Sequence, residues 1–386
     1  MGAALGLASN KDAMGALAAA FGPALPADTA FSQVAVSNPA LAGLVRSSSH
    51  DEGHAGRFSV PGAEGTVSMQ DVLAQRDPGA FIQKNLSWGN TGEVLTVFVP
   101  GLNTPEAESE RRLEKQYSPV LGDRRMAHLH LGSATDQGDV QFTVDPSLVG
   151  PLQAQLQTLG KGGIAPTLRT EGGRTFATLN AAQRDRAEAA LVAAGLIETQ
   201  TMVSVKDLLK AQLEGPGGPR KLDLMLYSRG SIDGAAGISS WVDDFTRRHS
   251  PRLGQAGAKA EAQRLLQNVV VETYGNASRN FPDGPQYIHW SATTDPLSRD
   301  MGSTAANPRG GGKNAMFVHY DGIHPGFNAH NFGSVGAQAA KLTLELNGVS
   351  TGRELYARFA GKPFVVPTTE QLKARVEQTR GADWLW

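Results

Sequence analysis

The chain has 386 residues, 40% hydrophobic and 19% charged, a balance that supports a sizeable folded core and excludes a disordered protein. Its 36 basic and 37 acidic residues nearly cancel, with no long run of one sign, so nothing marks a nucleic-acid partner. The lack of cysteine excludes disulfides, thiolate nucleophiles and cysteine-ligated zinc, and no run of about 18 apolar residues marks a membrane span.

Residues 1–55 are rich in Ala, Gly and Ser and read as a flexible leader to a domain spanning 56–386. An apolar run at 13–21 (AMGALAAAF) has the length of a signal-peptide core, but Asp12 cancels Lys11 and glycine interrupts it, so no signal peptide is assigned. The opening MGAALG carries Gly6 where myristoylation needs Ser or Thr.

From Arg57 onward the pattern alternates strand and helix. Val94–Val99 (VLTVFV) is a continuous apolar run closed by Pro100-Gly101, the mark of a strand buried on both faces. A charged helix is predicted at 105–116, with proline at its first turn, and a strand at 125–131. Residues 146–220 break the rhythm: helices are predicted at 146–159, 180–195 and 203–214, separated by GKGG, EGGR and EGPGGP. This segment reads as an inserted helical cap, or as ordinary crossover helices. The alternation resumes with strands at 221–227, 268–274, 286–291 and 314–320 and helices at 232–248 and 334–346. Repeated units of this kind predict an α/β fold, a mostly parallel sheet flanked by helices.

In such a sheet, reactive groups gather beyond the carboxyl ends of the strands. After KLDLMLY come Ser228-Arg229-Gly230-Ser231 and a helix, which puts a serine on a tight strand-to-helix turn. Its bland reading is a helix N-cap. After QYIHWS comes Asp295, followed by Pro296; after NAMFVHY come His324 and His330.

The S-x-G turn resembles the G-x-S-x-G nucleophile elbow of the α/β-hydrolase superfamily, with Leu226 in place of the first glycine. The chain order Ser, Asp, His matches that superfamily, and the resemblance covers roughly residues 90–348. It implies a serine esterase or lipase with a catalytic triad: Ser228 as nucleophile, Asp295 as acid and His330 as base, with His324 as the alternative base. His330 is favoured because it directly precedes a helix. The oxyanion hole would use the backbone N–H of Arg229 and that of Leu102 or Asn103 in PGLNT, a segment that also reads as a simple turn. The Arg229 side chain would pair with a nearby carboxylate or meet an anionic substrate.

The implied substrate is a small-molecule ester or lipid, and no cofactor or metal is expected. His319 reads as a packed strand residue. His128 and His130, with His324 and His330, form the one alternative metal set. The Ala-rich leader and the cap resemble lipase-type enzymes that bacteria secrete or inject as effectors, so the chain is expected in the cytoplasm or exported. A binding protein that keeps the hydrolase fold without catalysis is the rival of a different class.

Overall fold

The computed structural model describes residues 67–85, 94–101, 200–321, 323, 330 and 335–380, together with seven short strand segments between 45 and 198. The first half contains β1 (Val45–Arg46), β2 (Arg57–Ser59), β3 (Val67–Ser68), α1 (Met69–Leu73), α2 (Pro78–Asn85), β4 (Val94–Val99), β5 (Met126–Leu129), β6 (Val140–Val144), β7 (Thr167–Glu171), β8 (Arg174–Leu179) and β9 (Ile197–Glu198). The second contains α3 (Gln200–Leu213), β10 (Lys221–Tyr227), α4 (Arg229–Leu266), β11 (Val269–Tyr274), β12 (Gln286–Ala292), α5 (Pro296–Met301), β13 (Met316–Tyr320), α6 (Ala337–Leu346), α7 (Gly352–Phe359) and α8 (Thr369–Arg380).

The main sheet has eight strands in the order β13-β12-β11-β10-β4-β5-β2-β3. Every pairing from β13 across to β5 is parallel, and β2 and β3 close the far edge antiparallel. The two-residue period of a strand explains why the central strands are apolar throughout. Leu222, Leu224 and Leu226 of β10 point to one face, where they pack with Val205, Leu208 and Leu209 of α3 and Ile238 and Trp241 of α4. Met225 points to the other face, into a core with Trp290, Val318, Ala340, Leu344 and Leu372. Helices therefore cover both faces. Asp223, on the Met225 face, accepts a 2.6 Å hydrogen bond from Arg353 of α7, which also donates to the carbonyls of Leu222 and Asn268.

Three features differ from the sequence reading. First, the stretch between the helices predicted at 146–159 and 180–195 holds strands. β7 and β8 form a hairpin in register from Glu171 opposite Arg174, and β6 pairs with β8, giving a three-stranded antiparallel sheet. The EGGR motif that reads as a joint between helices thus stands between two strands; Gly-Gly between β-forming residues is a hairpin signal. Second, α3, predicted as part of a cap, contributes Val205, Leu208 and Leu209 to the main core, so it is a layer helix against the sheet. Third, the helix predicted to end at 248 continues through Pro251 and breaks at Gly254, whose φ of 71° and ψ of 161° are non-helical, before resuming to Leu266. Glycine takes that left-handed φ without a Cβ clash, so the break falls there and not at the proline.

The helices predicted at 105–116, 146–159 and 180–195 lie outside the described residues, as does the leader apart from β1. Among the described residues, no helix is long and apolar enough to cross a membrane.

Candidate active site

Because β4 and β10 to β13 run parallel, their carboxyl ends share one edge of the sheet. Gly101 follows β4, Ser228 follows β10, Gly275 follows β11, Asp295 follows β12 and His330 follows β13. Residues far apart in sequence are thereby collected in one place.

Ser228 has φ 54° and ψ −120°, one of two non-glycine residues with positive φ among those described. An L-residue there costs on the order of 1–3 kcal/mol and persists only when its surroundings over-determine it. They do so here. The Ser228 N–H donates to the Tyr274 carbonyl at 3.0 Å. The Ser228 carbonyl accepts from the Ser231 N–H at 2.9 Å and from the Ser231 hydroxyl at 2.6 Å. Ser231 in turn accepts from the Ala277 N–H at 2.9 Å, which ties the turn to the segment after β11.

Close packing makes the turn possible. A Cβ on Gly230 would lie 2.5 Å from the Val99 carbonyl oxygen, and one on Gly101 would lie 2.8 Å from the Ser228 Cβ. Leu226, two residues before Ser228, is accommodated by another glycine. A Cβ on Gly234 would sit 2.5 Å from a Leu226 methyl, so the absence of a side chain one turn into α4 leaves the leucine its room.

The Ser228 hydroxyl makes no cap to α4. Instead Ser228 Oγ lies 2.9 Å from His330 Nε2, and His330 Nδ1 lies 2.9 Å from Asp295 Oδ2. Asp295 is 1% exposed and the His330 side chain 11%. Asp295 also caps α5: its Oδ1 accepts from the Leu297 N–H at 2.9 Å, and its Oδ2 accepts from the Ser298 hydroxyl at 2.6 Å. Burial pushes the Asp295 carboxyl up, but the charge and hydrogen bond of His330, with the Ser298 and Leu297 donors, outweigh it and hold the carboxyl below its ordinary value. An ionised carboxylate can only accept, so Nδ1 carries a proton toward Asp295, and in the neutral imidazole Nε2 is then left to accept from the serine hydroxyl. Burial, then the Asp295 charge, raises the Tyr320 hydroxyl well above its ordinary value, so that phenol stays neutral.

The Arg229 side chain pairs with Asp233 one turn along the helix at 3.1 Å, with both residues buried. Its backbone begins α4, next to Ser228. Leu102, Asn103 and His324 lie outside the described residues, as do His130 and the side chain of His128. Half-buried His319 bonds elsewhere: its Nε2 accepts from the Ala305 N–H at 2.8 Å, and its Nδ1 lies 3.3 Å from Ser291 Oγ. Burial lowers its pKa. Among the described residues no group of three His, Asp or Glu side chains is placed to hold a metal ion.

Sequence reasoning missed several residues that shape this edge: Tyr227, Ser231, Gly234, Gly275 and Ser298. For Ser298 a signal existed, because an Asp-Pro pair marks a helix start and a serine three residues past the cap sits beside it. Gly275 was also visible, as a glycine at the carboxyl end of a parallel strand. No family model, curated protein or solved structure matches the chain.

Proposed function

We propose that this chain is a serine hydrolase of the α/β-hydrolase type, cleaving a carboxylic ester or lipid through an acyl-enzyme on Ser228. The observation that carries the reading is the continuous chain from Ser228 Oγ through His330 to Asp295, each link 2.9 Å, on a strained strand-to-helix turn. A serine hydroxyl is a weak nucleophile until a base takes its proton. In this mechanism Nε2 of His330 accepts that proton as Oγ bonds to the ester carbonyl carbon. Asp295 accepts the Nδ1–H and stabilises the imidazolium. The oxyanion meets the backbone N–H of Arg229 at the start of α4, where the helix field favours negative charge. A second donor comes from the backbone after Gly101, at Leu102 or Asn103. The imidazolium then gives its proton to the departing alkoxide, and the same histidine activates the water that releases the acid. In this reading the residues between β5 and α3 form the insertion into the hydrolase fold.

Incubation with a fluorophosphonate probe, and assay against a panel of p-nitrophenyl esters, tests the proposal. The wild-type chain should label at Ser228 and hydrolyse short esters. Ser228→Ala should lose labelling and at least about a thousandfold in kcat, with circular dichroism unchanged. A folded wild-type chain that does neither would leave the non-catalytic binding protein as the better reading.

A further inference from the structure

We infer that Tyr227 and Gly275 form a seat that fixes the His330 imidazole, which makes both of them positioning residues of the site; the inference rests on the serine-hydrolase reading. Tyr227 is the last residue of β10, immediately before the nucleophile. Its ring stacks on the His330 ring, with centroids 5.4 Å apart and planes 29° apart. Its hydroxyl donates to the His330 backbone carbonyl at 3.0 Å. One side chain therefore holds both the ring and the main chain of the base. Gly275 acts from the neighbouring strand. A Cβ there would fall 2.6 Å from His330 Cε1 and 2.7 Å from Nδ1, inside contact distance, so the imidazole rests where a side chain would otherwise be. Its φ of 58° is left-handed, which independently favours glycine.

The geometry explains why a seat is needed. His330 must aim Nε2 at Ser228 and Nδ1 at Asp295 at once, and a rotation or shift of the ring breaks both links. A misplacement of about 1 Å can cost a hundredfold in rate. Asp295 is anchored by α5 and Ser228 by the turn, whereas the contacts from Tyr227 and Gly275 bear on the ring itself. The contacts of both residues are with His330, so both are assigned to act through it.

The experiment is active-site titration with a fluorophosphonate, followed by kcat and KM for p-nitrophenyl acetate per titrated site. It compares wild type, Tyr227→Phe, Tyr227→Leu, Gly275→Ala, His330→Ala and the Tyr227→Leu/His330→Ala pair. Tyr227→Leu and Gly275→Ala should lower kcat per titrated site about a hundredfold, with KM nearly unchanged. Tyr227→Phe keeps the stack and loses one hydrogen bond, so its loss should be about tenfold or less. In the His330→Ala background Tyr227→Leu should cost clearly less than it does in wild type, because the route through the imidazole has been removed. A purely structural role would lower the titrated fraction and leave kcat per site alone. That result, or an additive loss in the double variant, overturns the seat. Should Gly275→Ala fail to fold, the Tyr227 series decides. A wild type that labels while the variants react equally fast refutes the seat alone; a wild type that neither labels nor turns over refutes the hydrolase reading and the seat with it.

Discussion

The packing of Leu226 against Gly234 yields a prediction that is independent of any activity. In Gly234→Ala the new methyl would sit 2.5 Å from one Leu226 Cδ and 2.8 Å from the other. Both obstructing atoms are ends of a side chain, so the leucine can rotate away, but it is fully buried and has little space to enter. Overfilling a packed core of this kind costs about 1–3 kcal/mol. Replacing a helical glycine by alanine returns up to about 1 kcal/mol of helix propensity. The net expectation is a loss of up to about 2 kcal/mol. Leu226→Ala alone leaves a cavity and should cost about 2–5 kcal/mol.

The double variant separates this account from its alternatives. With Leu226 shortened, the methyl of alanine at 234 enters vacated space, so its overfilling cost disappears while its propensity gain remains. The pair should be less destabilised than the sum of the singles by about 1–3 kcal/mol, the overfilling cost that disappears, within the range of coupling between touching residues. Urea denaturation followed by far-ultraviolet circular dichroism, with m-values checked for equality, measures all four corners of the cycle. Additivity within about 0.5 kcal/mol would refute the idea that Gly234 makes room for Leu226. So would a Gly234→Ala variant about 1 kcal/mol more stable than wild type, the value set by propensity alone.

Gly230→Ala should be worse than Gly234→Ala, because its Cβ would meet the backbone oxygens of Val99 and Pro100 at 2.5 and 2.6 Å, which cannot rotate away; a loss of about 3 kcal/mol in the same assay is expected, and a midpoint near wild type would contradict it. Ser298→Ala removes a 2.6 Å donor from the Asp295 oxygen that meets His330, so the carboxyl should titrate at higher pH and the acid limb of the kcat/KM profile should move up, with a loss of about tenfold or less at neutral pH. Buried His289 bonds to Thr273 Oγ1 and the Gly311 carbonyl, each at 2.8 Å, and burial lowers its pKa from 6.5 to about 4. Between those values the unfolded chain binds a proton that the folded chain refuses, so stability should fall by up to about 3 kcal/mol as pH drops through that window. Thermal melts should show a flatter slope there in His289→Gln. Asp295, with its folded pKa lowered, adds a further loss only as pH falls below the ordinary carboxylate value of 3.8.

The fold is legible where burial dictates composition. VLTVFV and KLDLMLY read as central strands because a strand covered on both faces has no polar side to show, and the structure buries both. The placing of Ser228, Asp295 and His330 after β10, β12 and β13 is legible for a related reason, since parallel strands send all their following residues to one edge. The segment from 146 to 220 is not legible in the same way. Thr167–Glu171 and Arg174–Leu179 carry charged and small residues, so no apolar period distinguishes a strand from a loop, and the hairpin shows only in the Gly-Gly between them. α3 does have an apolar face, but amphipathicity says only that a helix lies against something. Whether that is a sheet or a site is decided by tertiary contacts.

Leu226 shows how a side chain at a tight strand–helix crossing can depend on a glycine distant in sequence. The glycines of a strand–serine–helix turn are needed because strand and helix approach too closely for side chains at their crossing. What the approach excludes is volume at a point, and two backbones meet at that point. Either one can provide the space. Here Gly230 lies where the backbone oxygens of Val99 and Pro100 leave no room for a side chain. At the second crossing the side chain is on the strand, as Leu226, and the space is on the helix, as Gly234. The strand alone does not reveal this, because the residue that makes the room lies eight positions away on a different element. The same reasoning applies to Gly275, whose missing side chain is matched not by a neighbour in sequence but by the His330 ring, which arrives from the end of another strand. In both cases the informative glycine is one whose absent Cβ another side chain occupies, which requires knowing what lies opposite.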